Sequence, residues 1–301
     1  MMKKYINRLT LLLFLLTACV SFTKAETPKA NFQHSQIYGV TVDDSWEGRV
    51  ETAQIVEALK AMAVKPTVRI VMSRNIAPKD YKELFQEIHE AAYIMATPVD
   101  SYEMKKYSKA TYLKRFQDAY AALAPYVDIW EVGNEVNGDW LGKNAQVGNK
   151  VYEAYKFIKS KRAETALTTY YFAPNNQQIS MEEWLNKYIP QEMKNGLNYV
   201  LVSYYEDDND GYQPKWQAVF DDLAKIFPNS GLGIGECGNT DENATTDSKV
   251  KMASRYYAMP KYVKNYVGGY FWWYWVQDAV PHEGNKVWQA INNTIKNQNS
   301  R

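Results

Sequence analysis

Short apolar runs alternate along the chain with segments in which apolar residues recur every three or four positions. A run of this length between polar turns is typical of a buried strand, and the wider spacing predicts an amphipathic helix. One helical segment carries Val50, Ile55, Leu59 and Met62. Eight apolar runs predict eight strands, at residues 36–42, 66–72, 92–97, 127–132, 168–173, 198–203, 231–236 and 268–276.

Eight strand-then-helix units between residues 36 and 301 match the usual size of a (β/α)8 barrel. A doubly wound open sheet is the alternative, and it normally carries a glycine-rich phosphate loop after its first strand. Here Asp43 and Asp44 follow the first predicted strand instead. We therefore predict an α/β protein with a single-domain TIM barrel over residues 36–301, whose active site lies at the carboxyl ends of the strands.

The first 25 residues have the composition of a secretory signal. Three basic residues within the first eight positions precede an apolar run at residues 11–16, which is too short for a membrane anchor. The following stretch, residues 16–19 with the sequence LTAC, resembles a bacterial lipobox. This resemblance implies a signal peptide at residues 1–18, a lipid on Cys19 and an N-terminal tether at residues 19–35. Val20, rather than Asp, points by the same resemblance to the outer membrane.

Ordinary signal-peptidase cleavage after Ala25 is the alternative, with Thr23 and Ala25 as the small residues. The two interpretations place the mature protein differently. A lipobox leaves the protein anchored in the outer membrane or periplasm, in contact with the membrane only through its lipid. Ordinary signal-peptidase cleavage releases the protein from the membrane.

Composition and charge exclude several classes of protein. The chain is 46% hydrophobic and 23% charged, as in an ordinary globular protein. Removing residues 1–18 takes away three of the 35 basic residues and none of the 34 acidic ones, leaving 32 against 34 and a net charge of −2. No basic tract remains, so we expect no nucleic-acid partner. The three histidines are far apart without zinc-site spacing, and we expect no metal and no cofactor.

Two glutamates follow predicted strands on the same face of the barrel. The fourth strand ends in Asn134 and Glu135, and the seventh ends around Glu236. Two carboxyl groups can cut a glycosidic bond with retention when they lie about 5 to 5.5 Å apart, one protonating the leaving oxygen and one attacking the anomeric carbon. The alternative is that each glutamate is a solvated charge at the barrel rim.

Two short motifs carry a family resemblance. WEVGNE at residues 130–135 and GIGECG at residues 233–238 resemble the strand-4 and strand-7 signatures of the clan A glycoside hydrolases, which are (β/α)8 retaining glycosidases. The resemblance implies that Glu135 is the acid/base, that Glu236 is the nucleophile and that Asn134 contacts the sugar 2-hydroxyl. It covers all eight units coarsely but only these two strands specifically, and no particular family within the clan is indicated.

Alternation along the second strand turns Arg69 inward if Val68 and Ile70 point outward. An arginine there can hold the nucleophile in its ionised form through charge-assisted hydrogen bonds. The alternative is a structural ion pair, with Glu131 as the candidate partner because it has the same strand parity as Glu135.

Aromatic residues follow the sixth and eighth strands. Tyr204 or Tyr205 can be the hydroxyl partner of the nucleophile that the clan places after strand 6, and we favour Tyr204. The resemblance also implies a tryptophan under the sugar at strand 8, for which we choose Trp273 and Trp275 over Trp272. Some of these rings must instead fill the layer between barrel and helices, because alternation sends half of them outward.

The sequence thus predicts a secreted, lipid-anchored, monomeric glycosidase that cleaves β-linked poly- or oligosaccharide by double displacement. Glu135 needs a raised pKa for this chemistry, and we expect the negative charge of Glu236 to supply it. The alternative is a non-catalytic carbohydrate-binding lipoprotein on the same barrel. A metal-dependent barrel hydrolase lacks the histidines it would need.

The lipobox reading predicts that Cys19→Ser releases the protein from membranes or blocks its processing, because the acceptor of the lipid is lost. Cell fractionation with mass analysis of the mature amino terminus tests this expectation. Soluble wild-type protein that begins near Glu26 would end the lipoprotein hypothesis.

Overall fold

Eight parallel strands close into a barrel in the computed structural model, each hydrogen-bonded to its neighbours in chain order. The structure describes residues 36–43, 49–174 and 179–299, which belong to one compact unit. The strands are β1 Ile37–Val42, β2 Thr67–Val71, β3 Tyr93–Thr97, β4 Ile129–Gly133, β5 Glu164–Tyr170, β6 Tyr199–Ser203, β7 Gly231–Cys237 and β8 Tyr266–Trp272. The predicted (β/α)8 barrel is confirmed.

Helices follow the strands and cover the outside of the barrel. They are α1 Thr52–Lys60, α2 Lys82–Ala91, α3 Lys109–Leu123, α4 Asn144–Ser160, α5 Met181–Tyr188, α6 Gln191–Gly196, α7 Trp216–Ile226, α8 Thr246–Tyr257, α9 Trp275–Ala279 and α10 Lys286–Asn299. Short 3-10 turns occupy some of the loops, at Pro78–Tyr81, Ser101–Lys106, Asp139–Leu141 and Asp207–Asn209. None of the helices in the described part of the chain is long and apolar enough to cross a membrane.

The interior of the barrel is apolar toward the beginnings of the strands and polar toward their ends. The apolar cluster comprises Ile37, Met95, Ile129, Ala166, Tyr199, Leu201, Val267 and Phe271. Strand alternation places the residue two positions later on the same face. The inward positions that follow Met95, Ile129 and Ala166 are therefore the buried polar residues Thr97, Glu131 and Thr168. A polar layer consequently sits on an apolar plug, facing the carboxyl ends of the strands.

The predicted bounds of two strands were wrong at both ends. Strand β5 begins at Glu164 and ends at Tyr170, several residues before the predicted end. Strand β8 ends at Trp272, and the chain then turns through Tyr274, whose φ of 58° lies in the left-handed region, into helix α9. The uninterrupted aromatic run concealed this turn from the sequence pattern. The predicted signal peptide, lipidated Cys19 and tether all lie outside the described residues.

Candidate active site

A buried arginine joins two glutamates inside the polar layer of the barrel. Arg69 points inward from the middle of β2, as alternation predicted, and is 1% exposed. Its Nε and Nη2 atoms each lie 2.9 Å from Glu131 Oε2, and its Nη1 lies 2.7 Å from Glu236 Oε1. The structural ion pair and the contact with the predicted nucleophile were posed as alternatives, and both are present in the same side chain.

Glu131 is fully engaged at the base of this arrangement. Besides the guanidinium of Arg69, it accepts hydrogen bonds from the hydroxyls of Thr97 on Oε2 and Thr168 on Oε1. Burial alone would lower the pKa of Arg69, but the charges of Glu131 and Glu236 outweigh it and leave that pKa above its ordinary value. Arg69 is therefore a permanent positive charge, held in place by a carboxylate that two strands orient.

Glu236 lies near the end of β7, where three donors converge on its carboxylate. Arg69 Nη1 and Asn134 Nδ2 approach Oε1 at 2.7 and 3.1 Å, and the hydroxyl of Tyr205 donates to Oε2 at 2.7 Å. Hydrogen bonds and a cation directed at a carboxylate stabilise its ionised form. These contacts fix the orientation of the Glu236 carboxylate, as a nucleophile requires.

The choice of Tyr204 as the hydroxyl partner was wrong, because Tyr205 makes the bond to Glu236. The Tyr204 side chain points into the outer core, where its hydroxyl donates to the backbone carbonyl of Tyr212. A usable signal was present in the sequence. Tyr199 and Leu201 face the barrel interior, and the same alternation leads through Ser203 to Tyr205.

Glu135 stands two residues beyond β4, in a turn with an unusual backbone. Its φ is 48°, a left-handed conformation that non-glycine residues adopt mainly at sites where surrounding contacts impose it. Here the N–H of Val136 donates to the Thr168 carbonyl at 3.1 Å, and the N–H of Gly138 donates to the Glu135 carbonyl at 2.8 Å. The turn therefore aims the carboxyl group in a fixed direction.

The residues on either side of Glu135 explain the rest of the motif. A Cβ atom on Gly133 would lie 2.6 Å from a methyl of Val136 and 2.8 Å from a methyl of Val151 in α4, so a side chain does not fit there. The amide of Asn137 exchanges two hydrogen bonds of 2.8 Å with the backbone of Tyr170 at the end of β5. The glycine is needed for close helix packing, and the asparagine ties the turn to the barrel.

The environment of Glu135 favours its protonated form. Burial is the largest cause of its raised pKa, the negative charge of Glu236 is the second, and a hydrogen bond from Ser101 opposes both. The charge of Glu236 contributes as expected, but burial, which was not expected, contributes more. A carboxylic acid with a raised pKa can protonate a leaving group.

The loop after β3 supplies two site residues that the sequence analysis missed. Ser101 donates its hydroxyl to Glu135 Oε2 at 2.8 Å and its N–H to Asn134 Oδ1 at 2.8 Å. The second bond orients the Asn134 amide so that its nitrogen faces Glu236. Asp100 lies beside them, and burial followed by the charge of Glu236 raises its pKa. The signal was the Asp-Ser pair shortly after a predicted strand end.

Of the two chosen tryptophans, only Trp273 can reach the active face. It follows β8 directly and is partly exposed, and its backbone N–H donates to the Cys237 carbonyl at 2.7 Å. Trp275 was a wrong choice, because it begins helix α9 and is fully buried in the core outside the barrel. Trp272 is also buried there, with its indole nitrogen 2.9 Å from Asp278 Oδ2.

The acidic loop after β6 is held by specific partners. Glu206 pairs with Arg255, and Asp207 accepts hydrogen bonds from the N–H and hydroxyl of Thr240 at 2.7 and 2.6 Å. Within residues 36–43, 49–174 and 179–299, no three His, Cys, Asp or Glu side chains are grouped to hold a metal ion.

Comparison with known proteins relates the chain to others through its fold. No family model and no curated protein matches the sequence. Saccharomyces cerevisiae Gas2p in complex with laminaripentaose is similar, with a TM-score of 0.56 and 12% identity over 87% of this chain and 65% of that chain. A glucosidase from Croceicoccus marinus gives a TM-score of 0.55 and 14% identity over 79% of this chain and 60% of that chain.

A further Gas2p structure, without ligand, gives a TM-score of 0.55 and 13% identity over 87% of this chain and 60% of that chain. The chain thus spans between 60% and 65% of the length of these structures. Their low identity makes the likeness one of fold. The barrel fold that the sequence predicted is the fold that these glycan-related structures share.

Arg69 pairs with both Glu131 and Glu236, so we expect Arg69→Met to lower both turnover and stability. Turnover should fall strongly because Glu236 loses its cation, and the free energy of unfolding should fall by about 3 to 5 kcal/mol because two buried carboxylates are left without it. Chemical denaturation and steady-state kinetics on the same preparations measure both effects.

Glu131→Gln is the matched control, since it removes the negative charge of Glu131 but leaves the contact of Arg69 with Glu236. It should retain more turnover than Arg69→Met. A variant Arg69→Met that loses stability yet keeps wild-type turnover would remove Arg69 from the active site.

Proposed function

We propose that the protein is a retaining glycoside hydrolase that cleaves β-linked poly- or oligosaccharides. One observation carries the proposal: two glutamates from strand ends β4 and β7 share a site but have opposite environments. Burial favours the protonated form of Glu135, whereas three donors stabilise charge on Glu236. Environments that separate two carboxyl groups in this way assign one as acid and the other as nucleophile.

In the first step, a carboxylate oxygen of Glu236 attacks the anomeric carbon and forms an ester bond. The bond between that carbon and the leaving oxygen breaks, and Glu135 transfers its proton to the leaving oxygen. In the second step, Glu135 removes a proton from water, whose oxygen attacks the anomeric carbon and releases Glu236. Two displacements at the same carbon return the original anomeric configuration.

The charge interaction between the two glutamates suits this exchange of roles. When Glu236 becomes an ester it loses its negative charge, which is one of the causes that raise the pKa of Glu135. That pKa should therefore fall in the intermediate, and the hydrogen bond from Ser101 then stabilises the carboxylate that must act as base. Arg69 remains paired with Glu131 throughout, so the site keeps its geometry while its charge changes.

The similar solved structures suggest which sugars to test first. Gas2p is seen with laminaripentaose, and the other neighbour is called a glucosidase. We therefore propose gluco-oligosaccharides as the first substrate class to examine. We further propose that the mature protein is lipid-anchored through Cys19 at the outer membrane or periplasm, which the lipobox-like LTAC at residues 16–19 supports. We also propose that it is monomeric.

Variants of the two glutamates separate their roles. Glu135→Ala should be severe on natural glycosides but mild in the first step with dinitrophenol as leaving group, which needs no proton. Azide should then restore turnover by attacking the covalent intermediate, giving a product of the starting configuration. Glu236→Ala should fail on both substrates, and azide can rescue it only by direct attack with inversion. Kinetics with proton NMR of the products measures both.

Equal loss of activity on every substrate, with no response to azide in either variant, would leave the assigned roles without support. A wild-type product of inverted configuration would rule out the retaining mechanism. Absence of turnover on any glycoside, together with glycan binding, would favour a carbohydrate-binding lipoprotein instead.

A further inference from the structure

Two large hydrophobic side chains are exposed within residues 36–43, 49–174 and 179–299. Tyr102 is 70% exposed and Tyr274 is 37% exposed. Tyr102 lies in the loop after β3, and Tyr274 lies in the turn after β8. Both therefore belong to the face of the barrel that carries Glu135 and Glu236. Aromatic rings that are exposed at this face are candidates for contact with a ligand, since Tyr and Trp combine a large apolar surface with a polar group.

The ring of Tyr102 is supported on one side and open on the other. It stacks on Trp140 with ring centroids 5.9 Å apart and an angle of 23° between planes. Trp140 is itself held edge-on by Tyr170, with ring centroids 5.3 Å apart at 89°. The backbone of Tyr102 is fixed as well, because its N–H donates to Asp100 Oδ1 at 2.8 Å. The pair therefore presents a preformed flat surface.

This surface lies next to the general acid. Ser101, which precedes Tyr102, donates its hydroxyl to Glu135 Oε2 at 2.8 Å, so one short segment carries both the surface and a contact to the acid. Partial burial and then the charge of Glu135 raise the pKa of the Tyr102 phenol, in agreement with that proximity. Glu135 must stand beside the leaving oxygen in the proposed reaction. The surface is consequently on the side of the leaving group.

We propose that Tyr102 and Trp140 form a binding subsite for a neutral pyranose ring on the leaving-group side of the scissile bond. This inference rests on the proposed glycosidase function. The face of a β-linked glucose-type ring is made of C–H groups, and a supported aromatic plane gives it a large apolar contact without ordering a flexible side chain.

The surroundings of the subsite make it selective against charge. Acidic side chains lie around the ring: Asp100 Oδ1 accepts the N–H of Tyr102 at 2.8 Å, and after partial burial Glu135, Asp208 and Asp100 all act to raise the pKa of the phenol. A uronic acid would be repelled by those of these groups that are ionised, whereas an uncharged sugar would not. The subsite therefore fits a chain of neutral hexoses.

The test compares two substrates that share their glycon but differ on the leaving-group side. Laminaripentaose places sugars over Tyr102, whereas laminaribiosyl β-fluoride has a leaving group without a ring. Tyr102→Ala should lower the ratio of kcat/KM on the pentaose to kcat/KM on the fluoride about tenfold. Tyr102→Phe keeps the ring without the hydroxyl and should restore the wild-type ratio. An equal fall on both substrates in Tyr102→Ala would overturn the subsite.

A binding measurement separates failure of the subsite from failure of the catalytic proposal. If wild-type protein cleaves neither compound, gel affinity electrophoresis is run through laminarin, hydroxyethyl cellulose, xyloglucan and galactomannan. Retardation of wild type that Tyr102→Ala loses and Tyr102→Phe keeps would support the subsite even without hydrolysis. No retardation by any glycan, or equal retardation of all three proteins, would overturn it.

Discussion

The active face depends on one buried interaction, the guanidinium of Arg69 held between Glu131 and Glu236. A charge taken out of water is tolerated only when partners and hydrogen bonds satisfy it, and removing one partner strands the others. The barrel meets this condition by alternation. Strands β2, β3, β4 and β5 each direct one polar residue into the same layer, so that Thr97 and Thr168 complete the shell around Glu131.

Around Arg69, Glu135 and Glu236 have different surroundings although they are the same kind of residue. Glu236 ends a strand and lies against a permanent cation, an amide nitrogen and a phenol. Glu135 is buried beyond its strand, in a left-handed turn, with one serine hydroxyl as its side-chain donor. Ser101 and Asn134 connect the two carboxyl groups, so that the loop after β3 adjusts both at once.

The strands could be predicted because the length of an apolar run and the alternation of inward and outward side chains both follow from which residues are buried. Eight units, the inward Arg69 and the placement of Glu135 and Glu236 followed from that pattern, while their roles came from a resemblance of two motifs. The errors lie where strands end. Tyr204 was favoured over Tyr205 although alternation from the inward Tyr199 leads to Tyr205, and Trp275 was misplaced because nothing marks the turn at Tyr274. Ser101 acts through tertiary contacts, and its place in an Asp-Ser pair shortly after a predicted strand end was the only local sign of them.

The central claim is that Glu236 forms a covalent bond to the sugar. The most direct measurement is mass spectrometry of the protein after reaction with an activated 2-deoxy-2-fluoro β-gluco-oligosaccharide, which slows breakdown of the intermediate. The account predicts a mass increase of one glycosyl unit per chain, on the peptide that contains Glu236, and recovery of activity as the label hydrolyses. A label on any other residue, or turnover of natural glycosides without any labelling, would contradict it.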